Sequence, residues 1–312
     1  GLYNNTPNLA DRAIIQDLGV SYIKIAAPGY FFTAFAFIII MMMRSMERVI
    51  FPQIVTIITV LLNTLFNFAL ITGKLGFPAL GVEGAAVATL VSSFIGAVIL
   101  LIYFLQSKEE VFTFKFSLIK KIDRTFLKKT LFKAFPVMAN EAFWGLGMSM
   151  YLIAFSAISD TSLASYHVAN LIMGVFWVFN AGISSACAIM LGNKLGENNH
   201  RVAKDWGNKF LKLSFVFGII MGIVLFFTSP YITQLFSEAS ITSKENATLI
   251  LRVFSFFVPI KFVNAIHIIG TLRSGGDTVF TFFAEVGVLW LIGVPLAFIL
   301  SYYTTLPIYV IV

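Results

Sequence analysis

Residues 133–155 read KAFPVMANEAFWGLGMSMYLIAF, and Glu141 is the sole charged residue between Lys133 and Asp160. How this stretch is read depends on the rest of the chain. Hydrophobic residues make up 58% of the 312 residues and charged residues 12%. A soluble domain carries about 25% charge, so this composition cannot cover a soluble surface. Apolar runs of about 20 residues recur, each long enough to cross about 30 Å of hydrocarbon. They are continuous, not alternating as the strands of a membrane barrel would be. The sequence therefore predicts an all-α, polytopic membrane protein.

Spans are expected near 22–43, 49–72, 84–105, 131–157, 163–191, 210–228, 247–272 and 278–301, with a ninth beginning near 306. Turn signals separate them: Gly73, Gly76 and Pro78, then Gly192 and Gly196, Ser229-Pro230 and Gly275-Gly276. With eight spans the loops alternate sides. One side collects Arg44, Arg48, the basic residues of 106–130, Lys194, Arg201, Lys204, Lys209 and Arg273. The other side holds Arg12, Lys74 and Lys244. Positive loops stay cytoplasmic, which places residue 1 outside and fixes a multi-pass orientation in the cytoplasmic membrane. The net charge of +7 follows from that bias. It is read as contact with anionic lipid headgroups, not with nucleic acid. The lone cysteine, Cys187, lies in an apolar run and allows no intrachain disulfide. No signal peptide is visible, and both ends read as cut.

The chain repeats itself weakly. LYNNTPNLADRAIIQDLGVSYIKIAAP (2–28), an apolar span and Arg44-Ser45 are echoed by LFSEASITSKENATLILRVFSFFVP (235–259), an apolar span and Arg273-Ser274. The following spans, 49–72 and 278–301, match as well. Carried through the rest of the chain, the offset predicts a unit of about six spans and a complete protein of about twelve. Both copies then run in the same direction, as in secondary transporters with a cavity between two bundles. The expected division is 1–105 as the C-terminal half of the first bundle, 106–130 as a basic cytoplasmic connector, and 131–312 as a second bundle lacking its last helix.

PALGVEGAAVATL (78–90), KLGENNHRVA (194–203), LRSGGDT (272–278) and FPVMANEAFWGLGMS (135–149) occur in an order and spacing that resemble the MATE (multidrug and toxic compound extrusion) transporters. The resemblance runs from that family's fourth helix to the start of its twelfth. It implies a two-bundle antiporter that exports organic, often cationic, small molecules in exchange for protons or sodium ions. It implies no enzymatic cofactor. A flippase of related architecture for lipid-linked oligosaccharide is the neighbouring reading, and would want a cationic cavity for a diphosphate headgroup. A membrane-embedded enzyme is disfavoured, because no paired aspartates, metal-ligand histidines or serine–lysine dyad fall at membrane depth.

Glu141 is the leading candidate for coupling. Counted from Lys129, it lies about 18 Å deep at 1.5 Å per residue. A carboxylate there should face the bundle interior, and one poised between protonated and ionised states can exchange a proton for a cationic drug. The plain alternative is a permanently protonated acid that joins two helices. The resemblance adds that Glu141 matches the cation-linked acid of the family's seventh helix. On the tenth helix, where some members carry another carboxylate, this sequence has Lys261 at a similar reckoned depth, where it either pairs with Glu141, which would disfavour a sodium site, or snorkels or pairs elsewhere. Glu285 lies eight residues past Asp277, about 12 Å in, and is read either as a second relay member or as reaching the cytoplasmic interface. Asn140, Asn170, Asn180 and Asn264 line a cavity or bond helices together. Trp144, Tyr151 and Trp177 offer ring faces to a flat cation, or meet lipid. His167 and His267 stand alone, without the spacing of a metal site. Arg273 and Asp277 are read as fixing a cytoplasmic turn.

Overall fold

A computed structural model describes residues 9–106, 123–237 and 239–312, without the side chains of residues 9–13 and 15. The Arg12 side chain and most of the basic connector, 107–122, lie outside the described residues. The chain forms two compact units, residues 3–122 and 123–312. The described residues are helical, with no strand among them.

The first unit holds α1 (Leu9–Ser45), α2 (Ile50–Thr72) and α3 (Gly81–Gln106). α3 packs against both α1 and α2, which scarcely touch each other. Small residues allow the approach. A Cβ on Gly84 would fall 2.5 Å from the Leu70 carbonyl oxygen, so only glycine fits. At the other end Ile39, Met43, Val55 and Leu100 close an apolar core.

The second unit holds α4 (Arg124–Ser156), α5 (Asp160–Gly196), α6 (His200–Ile232), α7 (Ile241–Gly275), α8 (Thr278–Tyr303) and the short α9 (Ile308–Ile311). The side chains of Ser159, Asn199, Ser240 and Asp277 each accept a backbone N–H of the first turn that follows. They thereby satisfy donors that a helix start leaves free. α7 packs against both α5 and α6, and α4 lies along α8. Gly218 and Gly222 let α6 close on α7, since added Cβ atoms would lie 2.7 Å from Pro259 Cα and 2.6 Å from the Ser255 oxygen. Phe155, Tyr166, Leu225, Leu251, Val258 and Phe262 fill the core.

Seven helices (α1, α2, α3, α5, α6, α7 and α8) are long and apolar enough to cross a membrane. The surface agrees with a lipid solvent, with Leu291 80% exposed on the outside of α8. α4, which carries the stretch that opened the sequence reading, is 33 residues long but is not among the seven. Its lysines, Asn140, Glu141, glycines and serine dilute its apolar content, as suits a helix whose partners are protein groups and not lipid alone. Pro28 in α1 and Pro259 in α7 occupy matching places inside the two repeated helices.

Two helices contain a widened π turn, Ile266–Leu272 in α7 and Leu289–Gly293 in α8. Each shifts the angular register of the residues beyond it, and such turns gather at functional sites. Neither was expected from the sequence, where both segments read as ordinary span.

Candidate functional site

α4 and α8 are locked side by side before any charge is considered. Gly147 is buried with Leu289 against it, at 2.5 Å from where a Cβ would stand. Trp290 Nε1 donates to the Phe143 carbonyl oxygen at 3.0 Å, and the Phe143 ring meets Phe282 and Trp290 edge-on at 6.1 Å each. This fixes the face of α4 that carries Asn140 against the face of α8 that carries Glu285. Successive helical residues point about 100° apart. Asn140 therefore turns inward, 2% exposed, while Glu141 turns toward the end of α7.

Three helices meet there. Arg273, 19% exposed, places Nη1 2.8 Å from Glu141 Oε1 and Nη2 3.7 Å from Glu285 Oε2. Asn140 Nδ2 donates to the same Glu285 Oε2 at 2.7 Å. Two carboxylates thus share one guanidinium. Glu141 remains 59% exposed and Glu285 is 25% exposed, so the less tightly paired acid is the more enclosed one.

This arrangement corrects two expectations. Arg273 holds Glu141, and Lys261 does not. A Cβ on Gly276, which turns the chain at φ 83°, would lie 2.8 Å from Lys133 Nζ. The Lys133 ammonium therefore reaches the α7–α8 turn. Glu141 is eight residues beyond Lys133, about 12 Å, and Glu285 is eight residues beyond Asp277, a like distance. Lys261, twelve residues before Arg273, is about 18 Å further along α7, with its ammonium over the Phe254 ring at 4.6 Å. Arg273 itself, read as a turn residue, reaches into the site. Asp277 does the capping, accepting the Phe280 N–H at 3.3 Å.

Beside the cluster lies a cavity of about 780 Å³ in the second unit. Glu285, Lys261, Asn264, Trp144 and Tyr151 line it, five of the residues singled out from the sequence, and His267 of the α7 π turn joins them. Asn140 stands behind Glu285 and outside the lining. Asn170 and Trp177, both exposed on α5, are not lining residues either, and neither is Asn180, which is wholly buried with both amide atoms unpartnered. His167 is exposed on α5. Among the described residues no group of His, Cys, Asp and Glu could hold a metal ion.

A family profile described as MatE matches residues 6–69 and 136–299. Among curated proteins, the "Probable multidrug resistance protein NorM" of Thermotoga maritima is 28% identical over 309 residues, covering 97% of this chain and 64% of its own length. The "Probable multidrug resistance protein YoeA" of Bacillus subtilis is 25% identical over 256 residues, covering 80% of this chain and 55% of its own. This chain therefore spans between about half and two thirds of these relatives. Among solved structures, a MATE in complex with MaL6 superposes with a TM-score of 0.80 at 19% identity, over 94% of this chain and 64% of that one. An outward-facing multidrug resistance MATE family transporter of the MOP superfamily gives 0.79 at 19% identity, with the same coverage. At these identities the structural likeness speaks to the fold.

Proposed function

The chain belongs to the MatE family, whose profile covers most of its length, and on that premise we propose that it works in a multi-pass efflux antiporter. In this reading an organic small molecule leaves the cell through the cytoplasmic membrane in exchange for a proton or a sodium ion. The observation that carries the proposal is the pairing of Glu141 and Glu285 with a single guanidinium, Arg273. Two negative charges against one positive leave a deficit of one. Within a membrane protein an uncompensated charge is costly, so the cluster has a use for one further cation.

Glu285 faces the cavity, and 780 Å³ lies within the range of pockets that enclose a drug-sized ligand. A cationic substrate entering the cavity supplies the missing charge to Glu285, and so does the coupling ion. The two compete, and competition for one charge is what exchange requires. Trp144 and Tyr151 offer ring faces to an organic cation, and Asn264 offers an amide. Lys261 lines the same cavity, with its ammonium held over the Phe254 ring.

The test is transport by the complete gene product in sealed vesicles. A proton gradient and a sodium gradient are imposed in turn, and efflux of a fluorescent organic cation is followed. One gradient should drive efflux, and both Glu141→Gln and Glu285→Gln should abolish the driven component at unchanged protein level. Variants that transport like the parent would make the cluster structural.

A further inference from the structure

We infer that the exchanged ion is a proton carried by Glu285, that Asn140 is a positioning partner serving both protonation states of that carboxyl, and that Arg273 is the resident counter-ion of Glu141. The inference rests on the antiport reading and takes it further by naming the ion and the atom.

The guanidinium is not shared evenly, at 2.8 Å from Glu141 and 3.7 Å from Glu285. Glu141 therefore keeps the ion pair, while Glu285, more enclosed and facing the cavity, is the acid whose charge is left over. Asn140 supplies the independent observation. It is 2% exposed, its Nδ2 donates to Glu285, and its Oδ1 is buried with no partner. A buried amide oxygen without a donor is uncommon. A carboxamide has a donor end and an acceptor end of nearly the same shape. Turned by half a rotation, Asn140 presents Oδ1 where Nδ2 now stands, and accepts an O–H from protonated Glu285. The same residue thus bonds the ionised and the neutral acid without any helix moving.

A sodium ion fits less well. Hard cations gather several oxygen ligands, and what surrounds Glu285 is mainly donors and positive charge. α4 brings Asn140, Lys133 and the already paired Glu141. α7 brings Lys261, His267 and Arg273, and α8 brings Asp277 at its cap. α5, packed against the last turn of α7, brings Lys194 and Glu197, which pair with each other at 2.8 Å. A proton needs no ligand shell. It adds to Glu285 Oε2 to form the O–H bond, and returns to water when a substrate cation takes its place. Proton loading removes the negative charge that holds a cationic substrate, which is then released.

The test is infrared difference spectroscopy of the complete gene product in lipid bilayers, reading the C=O stretch of protonated carboxyls as pH is lowered. One titrating band is expected to disappear in Glu285→Gln, to persist in Glu141→Gln and to stay unchanged when potassium is replaced by sodium. Asn140→Leu should raise its frequency, the mark of a lost hydrogen bond. If Glu285→Gln does not fold, Glu285→Asp must shift the band instead. No titrating band, a band that belongs to Glu141, or one that sodium suppresses overturns the inference. Vesicle efflux on the same samples separates the two readings. A Glu285 band without driven transport removes the antiport reading alone, and driven transport with the band elsewhere removes this inference alone.

Discussion

Glu141 and Glu285 could be picked out in the sequence because a carboxylate in an apolar run is costly to keep. Their partner could not. Arg273 looked like part of a glycine turn, and the lysine on the same helix seemed the better match. Only the packing of α4 and α8 against the end of α7 brings both acids within reach of the guanidinium. Asn140 was singled out from the sequence, but its bond to Glu285 spans 145 positions of chain. The shared guanidinium makes a prediction at this scale. Arg273→Ala should lower the melting temperature in detergent, because two carboxylates lose their shared counter-ion. Adding Glu141→Gln should recover part of the loss, since one of the two charges is removed. A double variant no more stable than Arg273→Ala would mean that the carboxylates do not share a counter-ion.

The spans were legible from hydropathy but the helix starts were not, since α5, α6 and α7 begin at Asp160, His200 and Ile241, ahead of the spans expected from 163, 210 and 247. The capping residues Ser159, Asn199, Ser240 and Asp277 each stand at an observed start in the second unit, and a lost cap costs about 1 kcal/mol. The two π turns were not legible, because an inserted residue in a helix leaves no mark on hydropathy. Close approach of α6 and α7 also depends on tertiary contact. Gly222→Leu forces side-chain atoms into the Ser255 backbone and should destabilise by about 1–3 kcal/mol. Gly174→Ala meets open space within its helix and should be neutral or stabilising by up to about 1 kcal/mol. Thermal unfolding of the two variants side by side checks the contrast. Equal effects would mean that α6 does not rely on glycine to reach α7.

For the molecule as a whole, the repeat pointed to the class and the excess of basic residues on alternate loops to an orientation, and the family match agrees with the class. The weak apolarity of α4 was missed, since its first half was read as an unbroken span although it contains the site's own polar residues. The orientation predicts that Arg201→Cys, before which α5 turns into α6, and Thr305→Cys, between α8 and α9, lie on opposite faces of the membrane. A membrane-impermeant thiol reagent applied to intact cells should label Thr305→Cys and spare Arg201→Cys, with buried Cys187 silent in both. The reverse pattern would invert the topology, and with it the side from which the acid cluster is reached.

The proposed exchange has a substrate cation and a proton contend for Glu285. The most direct measurement adds an organic cation to the purified complete gene product in weakly buffered detergent and follows released protons with a pH dye. The account predicts about one proton released per substrate bound, and none from Glu285→Gln. Binding without proton release, or equal release from Glu285→Gln, would contradict it.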